Sequence, residues 1–242
     1  MGRKFIYILL VLSCIFYSSL LTAQVLQQPT TGFVELGTIG KTKHGLLNKD
    51  NIQETVPVYK QKIRVGVSIL PFNKANFNKF KRAASHQNSK VTVTYIDSLP
   101  NKPKFVQLQI IDKVQVLKEL NANYNEAVRG YLQNSAHNEL IMNVSAYFDA
   151  IDLSNLSQAE EVYLLNNKPK KYVLELVKNG KPFAQIDLSK AVTFGYTTAS
   201  FCWKKEQGVI SLANLVNNGE SCAKDTYKKV ARLDKKVNYF KM

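Results

Sequence analysis

Histidine, tryptophan, cysteine and acidic side chains are all scarce in this 242-residue chain: three, one, three and 18 residues, against 33 lysines and arginines. His44, His86 and His137 lie far apart, and none has a second histidine at a helical or strand ligand spacing, so they read as surface or hydrogen-bonded side chains. Two of the three cysteines, Cys202 and Cys222, are too distant for a thioredoxin-like pair and lack the short local spacing of a zinc site. No metal and no cofactor is therefore expected.

The few motif fragments are incomplete. "GTIGKT" at residues 37–42 resembles the end of a phosphate-binding loop, but Glu35 stands where the first glycine belongs and would set a negative charge against phosphate. "SCAK" at residues 221–224 has the serine-lysine spacing of penicillin-recognising enzymes without their companion motifs. Ser221 reads instead as a residue that opens or caps the last helix. The acidic residues gather once, as Asp149, Asp152, Glu160 and Glu161, in a stretch without the alternating oxygen ligands and central glycine of a calcium loop. A hydrolase acting on cell-wall or extracellular polymer could use these carboxylates across a cleft. The simpler reading is a solvated loop with a helix-capping role.

The N-terminus is informative. Arg3 and Lys4 precede an apolar stretch that begins at Phe5, and Leu21, Thr22 and Ala23 offer a small residue for cleavage, which is the layout of a secretory signal over residues 1–23. Retention as a membrane anchor and lipidation at Cys14 are the competing readings. Removal of the segment leaves Cys202 and Cys222, an even count that in an exported protein predicts a disulfide. It also leaves no transmembrane helix in the mature chain. The expected location is periplasmic, outer-surface or secreted.

Net charge is +15. On an exported protein such an excess suits an acidic neighbour, an anionic lipid headgroup or polysaccharide, or another envelope protein; nucleic acid is not an expected partner.

Residues 24–60 read as an extended arm with at most one short strand, and residues 61–242 as one α+β domain. Period-two alternation predicts strands at residues 63–69, 91–97, 105–111 and 139–149. Residues 72–90 are either a short helix or a basic loop with Phe72, Phe77 and Phe80 turned inward. Asp112 is placed to cap one long helix reaching about Asn134, along which Leu117, Leu120, Tyr124, Val128 and Tyr131 form a stripe. Residues 172–178 and 183–188 flank Asn179-Gly180, a hairpin signal, and a strand over 191–203 continues the meander with Phe194, Tyr196 and Cys202 on one face. "NKPKF" at 101–105 and "NKPKKY" at 167–172 predict two similar hairpins, which also favours strand at residues 161–165 over a capping-box helix begun by Ser157 and Glu160.

The C-terminal stretch repeats Tyr227, Val230, Leu233, Val237 and Phe240 at three and four, which predicts a basic amphipathic helix. Lys228, Lys229, Arg232, Lys235 and Lys236 on its other face are the candidate contact with a polyanion or membrane surface. The expected fold is thus a mainly antiparallel sheet of seven to nine strands with a C-terminal β-meander, one long helix and a basic C-terminal helix. The expected function is non-enzymatic binding or structural work in the envelope or outside the cell.

Overall fold

The structure is a computed structural model that describes residues 26–29, 34–44, 49–98, 100–135, 137–168 and 171–234. The signal-like segment, Cys14, Lys235 and Lys236 lie outside the described residues. Among the described residues, ten strands form one antiparallel sheet, accompanied by four α-helices. The strands are β1 (Ile39–His44), β2 (Lys49–Thr55), β3 (Ile63–Pro71), β4 (Lys104–Ile110), β5 (Asn138–Tyr147), β6 (Glu161–Lys168), β7 (Lys171–Lys178), β8 (Lys181–Asp187), β9 (Val192–Glu206) and β10 (Val209–Asn217). The helices are α1 (Lys74–His86), α2 (Lys113–Asn121), α3 (Glu126–Gln133) and α4 (Ala150–Gln158).

Along the sheet the order is β10-β9-β5-β4-β3-β6-β7-β8, and the β1-β2 hairpin joins β5 beside the place where β4 pairs. β8 and β9 are six strand spacings apart on this path, about 29 Å if the sheet were flat. Only residues 188–191 connect them, a reach of at most about 18 Å. The sheet must therefore curl until these strand ends approach each other.

Its inner face carries the main core. Ile63, Val65, Leu108, Ile110, Val144, Leu164, Leu174 and Leu176 point into it, and Leu36 and Tyr59 from the N-terminal segment join Val116 and Leu120 of α2 there. A smaller aromatic cluster lies under α1, where Phe72 touches Phe77, Phe80, Phe105, Tyr147 and Phe194 with ring centroids 5.0–6.4 Å apart. Residues 72–90 thus resolve as a helix whose apolar side seals this cluster. Asn73 caps it, accepting from the Asn76 amide at 2.8 Å.

Several expectations need correction. The long helix is broken: Ala122 is extended (φ −68°, ψ 153°), a 3₁₀ turn at Asn123–Asn125 follows, and α3 starts afresh. The physical reason is the buried Asn125 side chain. Its amide holds both main-chain groups of Val58, accepting from the N–H at 2.9 Å and donating to the carbonyl at 2.7 Å. Arg129 then donates to the freed Asn121 carbonyl at 2.7 Å.

Residues 91–97 form no strand: among the described residues they pair with no strand of the sheet, Val93 and Tyr95 pack on the aromatic cluster, and the segment ends in a turn at Asp97. Of the two lysine-proline stretches, only the second lies between two paired strands, β6 and β7; the first leads into β4 from residues that form no strand. Phe194 and Tyr196 occupy different clusters, since Phe194 is the extra residue of a bulge in β9 opposite Ser145 and Ala146.

The described part of the basic C-terminal stretch is not a helix: Tyr227 pairs with Trp203, and a short 3₁₀ turn covers Val230–Arg232. The pairing with Trp203 fixes the backbone as extended where the helix would begin. The segment expected to hold one short strand carries two, β1 and β2, and β10 and α4 are additional to what was expected.

Candidate functional site: a basic cleft beside the disulfide

β9 extends past its pairing with β5, which ends at Ser200, so the edge of β9 around Trp203 is open to another segment. The chain fills it after β10. Gly219 takes positive φ (89°) in the turn that leaves β10, and the loop returns across the strand to bond Trp203 through two main-chain hydrogen bonds with Tyr227, of 2.8 and 3.0 Å. Cys202 and Cys222 form a disulfide with Cα atoms 5.8 Å apart, tying the loop to β9 one residue before Trp203. Val230 and Leu233 then pack against the main core. These are residues of the stripe read as helical; their apolar contacts are kept while their backbone is not.

Between loop and turn lies an open concavity of about 550 Å³ whose lining includes Glu220, Ser221, Tyr227, Lys228, Lys229 and Arg232. Three of the five candidate contact residues are thus brought together. Among the described lining residues Glu220 is the single carboxylate, and it is already hydrogen-bonded: the Asn217 amide N–H donates to it at 2.8 Å and the Asn217 side chain at 3.0 Å. Those bonds, with the more distant Lys113 and Lys228, hold its carboxyl below the ordinary range. Lys228, Lys229 and Arg232 outnumber the ionised Glu220 among the lining residues, a net positive surface that suits a phosphate, sulfate or carboxylate group, with Tyr227 as an aromatic part of the lining.

The acidic residues at 149–161 are placed otherwise. Asp149 caps α4 by accepting from the Asp152 amide at 2.8 Å, and burial with the neighbouring Asp149 charge raises the Asp152 carboxyl. Glu160 accepts from the Asn179 amide at 2.9 Å; Glu161 pairs with Arg64 at 3.2 Å and accepts from the Tyr163 hydroxyl. The helix-capping role read for this stretch is therefore visible at Asp149. Ser221 lines the basic cleft next to the bridge, and Glu35 precedes a turn at Gly37 (φ 82°) that leads into β1. Among the described residues, no group of three or more histidine, cysteine or carboxylate side chains is arranged to hold a metal ion.

Two polar arrangements escaped the sequence reading. Glu119, buried on α2, accepts from the amides of Lys60 (2.6 Å) and Gln61 (3.2 Å), the Tyr124 hydroxyl (2.7 Å) and the Gln115 side chain (3.1 Å). It fixes the entry to β3. Glu35 is the other: burial pushes its carboxyl up to about 7, opposed by the Tyr172 amide. A glutamate set among apolar residues, as in "GFVELG", was the available signal.

A second concavity of about 520 Å³ lies between α2 and β10, floored by Leu117 and Leu212 and flanked by Lys118 and Lys204. Among the described residues no helix is long and apolar enough to cross a membrane. The chain matches no protein-family model, no curated protein and no solved structure with which it was compared.

Proposed function

We propose that the protein is an exported, non-enzymatic binding or structural component of the cell envelope or its surroundings, and that the cleft at Lys228, Lys229 and Arg232 contacts an anionic partner. The observation that carries this reading is that those three cations line one concavity, where Glu220, the one carboxylate among the described lining residues, is hydrogen-bonded to Asn217. The disulfide supports export, since such bonds persist in oxidising compartments.

The test is co-sedimentation with vesicles containing phosphatidylglycerol, and retention on immobilised heparin as a model polyanion, both across a salt series. Binding is expected at low ionic strength and should weaken steeply as salt rises. Lys228→Glu, Lys229→Glu and Arg232→Glu combined should reduce it by at least about tenfold. Retention unchanged by the triple substitution, or absent at low salt, would refute the proposal.

A further inference from the structure

The connection between α1 and β4 contains a strand-forming sequence with no strand beside it. Residues 91–97 read VTVTYID, β-branched or aromatic at six of seven positions. Among the described residues, no main-chain hydrogen bond joins Thr92, Val93, Thr94 or Tyr95 to another strand. The segment is nevertheless held in place from one side. Val93 and Tyr95 pack on the aromatic cluster, and Tyr95 stacks on Phe77 of α1 with centroids 4.8 Å apart. Val91 and Ile96 remain 39% and 49% exposed. Side chains anchored on one side, exposed positions at Thr92, Thr94 and Ile96, and main-chain groups along Thr92–Tyr95 that meet no strand among the described residues leave the segment able to accept a strand beside it.

The surroundings are strongly positive. Between residues 71 and 104 there are seven lysines and arginines against one acid, Asp97. Lys74 and Lys81 lie one turn before and one turn after Phe77 on α1, so they flank the ring on which Tyr95 rests. Lys102 reaches Asp97 at 3.0 Å and lies over the Tyr95 ring, while Lys90 immediately precedes the segment. Pairing of two copies through this edge would bring two such positive rims together, which like-charge repulsion disfavours. A strand bearing carboxylates meets no such obstacle.

We infer that residues 91–97 are a docking strand for an extended acidic segment of a partner protein. The partner adds main-chain hydrogen bonds along Thr92–Tyr95, and its carboxylates meet Lys74, Lys81, Lys90 and Lys102. This surface is separate from the basic cleft, so either assignment can fail without the other.

The probe is a fluorescein-labelled eight-residue peptide of alternating threonine and glutamate, followed by fluorescence anisotropy with the full mature chain. A second probe of the same sequence carries N-methyl groups on alternate amides, which removes ladder hydrogen bonds and preserves charge. The first probe should bind and slow hydrogen exchange at residues 92–95; the N-methylated probe should bind about tenfold more weakly. Thr94→Pro, at an exposed position, should weaken the first probe by a similar factor of about ten, and Lys81→Glu with Lys90→Glu should do so in a salt-dependent way. Equal binding of the two probes would mean charge attraction alone and would overturn the inference. So would absence of binding, or a self-dimer dissolved by Thr94→Pro while probe binding stays unchanged.

Discussion

Tyr59 and Tyr172 stack with ring centroids 5.4 Å apart, and each hydroxyl donates to a carbonyl of the N-terminal segment: Tyr59 to Gly37 at 2.8 Å, Tyr172 to Pro57 at 2.7 Å. Burial raises both phenols above their ordinary range, so they stay protonated as donors. The pair fastens the main chain at Gly37 and Pro57 to β7. Tyr172→Phe would keep the ring but leave a buried carbonyl without its donor, at a cost of about 1–2 kcal/mol. Urea unfolding checks this; a change below about 0.5 kcal/mol would mean the hydroxyl is dispensable there.

Glu35 predicts a pH dependence of stability. Its folded carboxyl is raised from 4.5 to about 7, chiefly by burial. Between these values the folded protein binds more protons than the unfolded chain, so stability is highest below about 4.5 for this group and falls as pH rises through about 7. Glu35→Gln should remove that slope and raise stability at pH 8 by roughly 2 kcal/mol. Thermal melts of both proteins between pH 5 and pH 8 test the sign; a variant with an unchanged slope would place the titration elsewhere.

The bridge between Cys202 and Cys222 closes a loop with a sequence separation of 20, and its loss should cost about 3 kcal/mol. Cys202→Ser with Cys222→Ser should also loosen the return of the loop to Trp203 and with it the shape of the basic cleft. Limited proteolysis would detect this as new cleavage within residues 218–232. Equal protease resistance in the double variant would show that the Trp203–Tyr227 hydrogen bonds suffice.

What could be read before folding was the set of features that depend on near neighbours. Asn179 and Gly180 both adopt positive φ (52° and 70°) between β7 and β8, as the dipeptide implied. Asp112 caps α2 by accepting from the Gln115 amide at 2.9 Å, and period-two alternation located β3, β4 and β5. The pairing of Cys202 with Cys222 followed from the expectation that Cys14 leaves with the signal-like segment, and the structure has that bridge. For the candidate site, Lys228, Lys229 and Arg232 were selected through a helical pattern that the backbone does not follow; the apolar contacts of Val230 and Leu233 explain why the pattern was there.

Alternation along a strand reports which face is buried and is silent about which segment lies alongside. Residues 91–97 alternate as well as β4 does, yet only β4 acquired neighbours, since pairing requires distant residues to arrive at the same edge. The break at Ala122 likewise depends on Val58, 67 residues before Asn125, whose polar main chain had to be satisfied once buried. Turns, caps and the cysteine bridge were thus inscribed in local chemistry. The curl of the sheet, the interrupted helix, the raised carboxyl of Glu35 and the cleft were settled when remote parts of the chain competed for the same volume and the same hydrogen bonds.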